Sequence, residues 1–269
     1  MKKIIAAALC AALVLSFAGC SKRKKQQDAA GTTAESASAV TDIRTTEAQT
    51  SATAVTSADT VIDRLDGVPT ALTCRTETFN NGNNTVTLKY PVFDDASHSD
   101  ADGAIRDFVR GRYTSAGMFP EEFAAYEITD VEVTYAGERF VSALFVGQII
   151  GENGEEHFAY TLNLGLSPVR VCDSSELVVS AASLYDSFVS GAFALVRGNS
   201  AVSSDMTASD IAYSFRPELG VCPNVYLRGD ALGIVCDVAQ VYGGYAAFEC
   251  DAGALGGVIS DTAAALVAE

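Results

Sequence analysis

FVSALFVGQII, residues Phe140 to Ile150, is followed by the turn string Gly151-Glu152-Asn153-Gly154 and then by HFAYTLNL, residues His157 to Leu164. Side-chain character in both runs repeats with a period of two, the pattern of strands, and the glycine-rich tetrapeptide between them supplies a tight turn. A further period-two segment, Tyr126 to Tyr135, stands upstream across Ala136-Gly137-Glu138, and another, Val169 to Cys172, stands downstream across Ser167-Pro168. Strands joined in succession by short turns predict an antiparallel meander.

Upstream, Cys74 to Phe79 and Thr85 to Tyr90 flank Asn80-Asn81-Gly82-Asn83, which predicts another hairpin. After Pro91, Ala101, Ile105, Phe108, Val109 and Arg112-Tyr113 fall at helical spacing between Ser99 and Ser115. Downstream, Asp173 with Glu176 three residues on marks a helix start ahead of Leu177, Ala181, Leu184, Tyr185, Phe188, Ala192, Leu195 and Val196. A shorter helix is expected over Ala208 to Phe215, then strands over Asn224 to Leu227, Leu232 to Val238 and Tyr245 to Cys250. The fold class is therefore α+β, an antiparallel β-sheet meander packed with two or three helices.

The beginning of the chain is of another kind. Met1-Lys2-Lys3 is basic, Ile4 through Ala18 is apolar, and the run closes on Phe17-Ala18-Gly19-Cys20, the layout of a secretory signal. It is shorter than the roughly 20 residues a spanning helix needs. The closing tetrapeptide resembles the bacterial lipoprotein box, with Phe17 where Leu is usual. That resemblance implies cleavage between Gly19 and Cys20 and a lipid on the Cys20 thiol. Lys22, Arg23, Lys24 and Lys25 then read as a contact to anionic headgroups. The organisation expected is a lipoprotein signal over 1–19, an Ala/Ser/Thr-rich disordered tether over 20–60, and a domain over 61–269 with candidate lobes 61–172 and 173–269. The localisation expected is the bacterial cell membrane, lipid-anchored and facing the extracytoplasmic side.

The chain has 269 residues, 48% of them hydrophobic, with 18 Lys plus Arg against 34 Asp plus Glu and a formal net charge of −16. Such a balance argues against a nucleic-acid partner. From Val61 onward there are 11 basic and 29 acidic residues, so the domain is more acidic than the whole. Of the 7 cysteines, Cys10 is in the signal and Cys20 is the lipid site, leaving Cys74, Cys172, Cys222, Cys236 and Cys250. Their spacing is not that of a zinc site. Buried free thiols and one disulfide, Cys236 to Cys250 or Cys222 to Cys236, are the two readings.

The order of elements and several strings resemble an exported domain of unknown function found in lysozyme-sensing anti-sigma factors and in the non-catalytic part of some peptidoglycan deacetylases. The strings are Thr87-Leu88-Lys89-Tyr90-Pro91, Phe140-Val141-Ser142 with Gly154-Glu155-Glu156-His157, Leu162-Asn163-Leu164 into Ser175-Glu176-Leu177-Val178, and Asn224-Val225-Tyr226-Leu227 with Gly233-Ile234-Val235. Where that family often has Tyr-Glu-Ile, this chain has Ala239-Gln240-Val241. Neither a sigma-binding segment with its membrane span nor a deacetylase domain is seen, so the resemblance implies a fold and a binding role.

Nucleophile elbows, phosphate loops, metalloprotease helices and dinucleotide fingerprints are missing from the sequence. No catalytic residue, metal site or cofactor is expected. Asp100-Ala101-Asp102-Gly103 looks like part of a calcium loop, but His98 and Val109 stand where the first acid and the closing Glu belong. Acids complementing a helix dipole explain it better. His157 is either a turn residue or a ligand contact. Tyr242-Gly243-Gly244-Tyr245 is either a hairpin turn with packed tyrosines or a place where Tyr242 and Tyr245 touch sugar or protein. The function expected is a non-catalytic binding or sensing module that captures a cationic wall hydrolase such as lysozyme. The alternatives are a peptidoglycan or surface-protein binding module and, last, a wall-modifying hydrolase.

Overall fold

The computed structural model describes residues 56–61, 72–114, 123–211 and 214–267. The signal segment, Gly19, Cys20 and nearly all of the tether stretch lie outside the described residues. Seven strands form one sheet in sequence order: β1 (Thr56–Val61), β2 (Leu72–Asn81), β3 (Asn84–Phe93), β4 (Phe123–Ala136), β5 (Phe140–Gly151), β6 (Gly154–Leu166) and β7 (Val169–Val171). Four more, β8 (Ala194–Gly198), β9 (Asn224–Arg228), β10 (Ala231–Asp237) and β11 (Tyr245–Asp251), form a second sheet in the order β8-β11-β10-β9. The helices are α1 (Ser99–Thr114), α2 (Ser174–Leu177), α3 (Ala181–Val189), α4 (Ala201–Asp205), α5 (Ala208–Ile211) and α6 (Asp261–Val267).

The α+β class holds, and the meander of β4 to β7 is antiparallel throughout. The first hairpin closes with Asn81 opposite Asn84, which leaves Gly82 and Asn83 as its turn. Gly82 has φ 63, in the left-handed region such turns demand. Strand β1 pairs with β2 and takes in the last residues of the stretch read as tether.

Three features depart from the expectation. The junction of β3 with β4 is parallel, because α1 intervenes as a crossover and brings the chain back to start again at the same end. The helix read through Val196 breaks after Leu177: Val178 forms a bridge with Ile259, and Val179 N–H donates to Val258 C=O. Ser180 then caps α3 by accepting from Ser183 N–H at 3.1 Å, and Leu195 and Val196 belong to β8. The β-branched pair disfavours helix, and the carboxy-terminal segment offers its backbone an alternative partner. Finally, the strands make two sheets rather than one, and the helices outnumber the two or three expected because most are a turn or two long.

Each candidate lobe holds one of the sheets, yet the two share their interior. Along β5, Val141, Ala143, Phe145 and Ile149 join the cluster under α1, while Leu144 and Val146 pack with Tyr226, Val235 and Ala247 of the second sheet. Both faces of β5 are covered, so in place of the expected period-two alternation its sequence is apolar nearly without interruption, as a strand in the middle layer must be. Each large apolar side chain buried there contributes about 1.5–3 kcal/mol. Gly233 permits the closest approach: a Cβ on it would stand 2.1 Å from the Tyr226 ring. The other face of the second sheet packs Leu232, Ile234, Cys236 and Phe248 against Leu184, Phe188 and Phe215.

Cys172, Cys222, Cys236 and Cys250 are free thiols, and Cys172, Cys236 and Cys250 are buried. Burial pushes the Cys236, Cys172, Cys250 and Cys222 thiols above their ordinary value, so they are inert protonated groups rather than nucleophiles.

Candidate functional site

Helix α1 sets an apolar stripe of Ala101, Ile105, Val109 and Tyr113 on the first sheet. Arg112 stands beside that stripe in the last turn, where a cation is favoured by the helix dipole. Its guanidinium lies 5.4 Å from the Phe108 ring centroid and 5.3 Å from that of Tyr160. Among the described residues no carboxylate pairs with it. Tyr160 itself belongs to a stacked cluster, with Phe145 at 5.0 Å and Phe158 at 6.0 Å, and Phe158 stacks on Tyr126 at 5.1 Å.

Arg112 looks into two adjoining cavities, of 390 and 460 Å³, which also share Asn224 at the start of β9 and Asp237 at the end of β10. The smaller is walled by Tyr126, Tyr160, His157, Ala159 and Gln240, the larger by Ser174, Ser214, Arg216 and Cys222. Volumes of this size suit a small ligand. Burial pushes the Tyr126 hydroxyl up to about 12 and that of Tyr160 well above its usual value, so both remain proton donors at physiological pH. Burial by the groove walls likewise raises the Asp237 carboxyl.

His157 is on β6, opposite Gln148, rather than in a turn. Its backbone is clamped by one side chain: Gln240 Oε1 accepts from His157 N–H at 2.8 Å, and Gln240 Nε2 donates to His157 C=O at 2.9 Å. Only an amide can do both, since a carboxylate has no proton to give. Gly244, at φ 77, presses on the same carbonyl, where a Cβ would come within 2.0 Å of the oxygen. The tyrosines flanking the glycine pair do not line either cavity. Tyr242 packs on the core of the second sheet, and Tyr245 packs with Tyr226, Val235 and Ala247 between the sheets. His157 and the loop carrying Tyr242 and Tyr245 are thus brought together, but through Gln240 and Gly244.

His98, at the entry to α1, stacks on Phe93 at 4.5 Å. Ser97 Oγ at 3.1 Å and Asp95 Oδ2 at 3.2 Å both approach the same ring nitrogen, Nδ1. A relay needs them on opposite nitrogens, so this is a cap and not a nucleophilic site. Asp102, from the calcium-like string, accepts from Phe93 N–H at 2.8 Å and fastens α1 to β3. Among the described residues there is no group of three His, Cys, Asp or Glu side chains placed to hold a metal ion. No helix of the described residues is long and apolar enough to cross a membrane.

The sequence does not mark Arg112, Asn224, Asp237 and Gln240 as one site, because each comes from a different element. Arg112 has a local signal, a base standing with Tyr113 at the spacing of an apolar stripe, and Gln240 lies in the string Ala239-Gln240-Val241 that departs from the family pattern.

Comparison with family models and with curated proteins gives no match. Among solved structures the chain is similar to a DUF3298 family protein from Pseudomonas aeruginosa, with a TM-score of 0.40 and 9% identity, over 78% of this chain and 95% of that one.

Proposed function

We propose that the chain is a lipid-anchored, non-catalytic binding module on the extracytoplasmic face of a bacterial membrane, and that it captures a cationic protein. A basic wall hydrolase of the lysozyme type is the first partner to test. The observation that carries the reading is where the positive charges go. Arg106 and Arg110 are held on Glu77, Arg170 on Glu176, Arg197 on Asp130 and Glu132, and Arg228 on Glu132 and Glu249. Acids without such partners, among them Glu152, Glu155 and Glu156 at the β5–β6 turn, stand exposed. With net charge −16, the field outside the molecule attracts cations and accelerates their encounter. Tyr242 and Tyr245, which a wall-binding module would present, are instead packed against the core.

Calorimetric titration of residues 51–269, the compact unit, with a basic lysozyme is the test. Saturable one-to-one heat that persists at physiological salt is expected, with association slowed on the order of tenfold when Glu152, Glu155 and Glu156 are all changed to Lys. Heat at low salt only, or none, overturns the reading and turns attention to wall fragments.

The anchor makes its own prediction. Cys20→Ala should abolish incorporation of labelled fatty acid and move the protein from the membrane fraction, since a basic cluster without acyl chains holds weakly. Unchanged fractionation with no label in the wild type would mean that the apolar segment is an uncleaved anchor.

A further inference from the structure

We propose that the open edge of β6 beside Arg112 is a binding site for an extended peptide that ends in a free carboxylate. The inference is independent of the capture of a cationic protein and uses the opposite charge.

The smaller cavity is lined by the consecutive residues Glu156, His157, Phe158, Ala159 and Tyr160. Their side chains alternate between the two faces of the sheet, so a cavity that touches all of them lies along the strand edge. On its inner side β6 pairs with β5 in the register that places Gly154 opposite Gly151 across a two-residue turn. In such a ladder alternate residues turn their N–H and C=O outward, here His157, Ala159, Thr161 and Asn163. Two of the four are satisfied: His157 by Gln240, and the Asn163 carbonyl by Cys172 N–H at 2.8 Å. β7 covers β6 only from Leu164 onward.

Ala159 and Thr161 are left, each 5% exposed, with no outer backbone partner among the described residues. Of the two, Ala159 lines the cavity. Buried donors and acceptors in that state are costly, and a ligand backbone laid in the cavity along the edge would satisfy those of Ala159 in the manner of strand addition. The open length between the two clamps spans about 7 Å per pair of residues, room for a di- or tripeptide and no more. In the same lining Arg112 offers a guanidinium without a carboxylate partner among the described residues, held over the Tyr160 and Phe108 rings, which suits a terminal carboxylate in a two-pronged bond. Asp237 and Asn224 complete the wall and would meet the peptide's ammonium or amide groups.

The test titrates the full chain, purified in detergent, with tripeptides Ala-Ala-Xaa bearing a free carboxylate, followed by calorimetry and by amide hydrogen exchange. Saturable binding of at least one acid at millimolar concentration or below is expected, with slower exchange at Ala159. The amidated peptide, the peptide N-methylated at its central amide, and the Arg112→Gln protein should each bind at least about tenfold more weakly, and Arg112→Lys should recover part of the loss. No binding by any acid overturns the proposal, as does binding that is indifferent to amidation or to Arg112→Gln. Failure of lysozyme capture would leave these outcomes unchanged.

Discussion

Glu77→Leu is expected to cost about 2–4 kcal/mol of folding stability at neutral pH, measured by denaturant unfolding beside the wild type. Glu77 stands on β2 opposite Leu88 and is 4% exposed. Its Oε1 accepts from the Tyr90 hydroxyl at 2.6 Å and lies 3.0 Å from the Arg106 guanidinium, while Oε2 accepts from Arg110 at 2.7 Å. Tyr90 is buried, so loss of its acceptor strands a hydroxyl in the core at a cost of about 1–3 kcal/mol. The arginine side chains are 46% and 37% exposed, so water replaces the lost carboxylate and each broken pair is worth about 0–1 kcal/mol.

Glu77→Gln separates charge from shape. The amide oxygen still accepts from Tyr90, and the loss should shrink to about 1–2 kcal/mol. Acid sensitivity should change with it. Burial alone would push the Glu77 carboxyl up, but the bonds from Tyr90 and Arg110 and the charges of Arg106 and Arg110 outweigh it and hold the group below its ordinary value. A depressed folded value means stabilisation that is complete above the ordinary carboxylate range and is lost as pH falls through the folded value. The Gln variant should therefore lose less stability than the wild type on going from neutral to strongly acid solution. Parallel acid limbs in the two proteins would contradict this account of the cluster.

How much of this was legible beforehand follows from which forces are local. Period-two alternation and the turn strings at Asn80-Asn81-Gly82-Asn83 and Gly151-Glu152-Asn153-Gly154 placed the hairpins, because turn chemistry is written in adjacent residues. The spacing of Ala101, Ile105 and Val109 placed α1 for the same reason. The break at Val178 escaped, since its cause is a bridge to Ile259, far along the chain. The double burial of β5 escaped too: the period-two reading of Phe140 to Ile150 implies one covered face, whereas the strand is buried on both. The groove was illegible for a related reason. Arg112, Gln240, Asn224 and Asp237 mean little in their own strings, and only the packing of the second sheet against β6 makes them neighbours. In sequence Ala239-Gln240-Val241 is a mismatch to the family pattern, and in the fold its consequence is the amide clamp on His157.

Asn163→Leu is the substitution expected to act most strongly between the sheets, at about 2–5 kcal/mol, because it strands polar groups on both partners. β9 is an edge strand, and an edge must be covered or blunted if it is not to recruit other chains. Here the cover is two buried side chains of the other sheet. Asn163 Nδ2 donates to Val225 C=O at 2.7 Å, Ser142 Oγ donates to Asn163 Oδ1 at 2.8 Å, and Leu227 N–H donates to Ser142 Oγ at 3.2 Å. Ser174 Oγ accepts from Val225 N–H at 2.9 Å and completes the edge. Asn163 and Ser142 are 2% and 0% exposed, so no water stands ready to substitute. Leucine fills the volume but leaves the Val225 carbonyl without its donor and the Ser142 hydroxyl without its acceptor. Ser142→Ala should cost about 1–3 kcal/mol by freeing Leu227 N–H and Asn163 Oδ1, and the double variant should cost less than the sum by about 0.5–3 kcal/mol, since the bond between the two side chains can be lost only once. Faster amide exchange at Leu227 should accompany the loss in each variant. Strict additivity in the cycle, with exchange at Leu227 unchanged, would mean that apolar contact through Leu144, Val146, Tyr226 and Val235 holds the second sheet in place and that the polar pair only fills its edge.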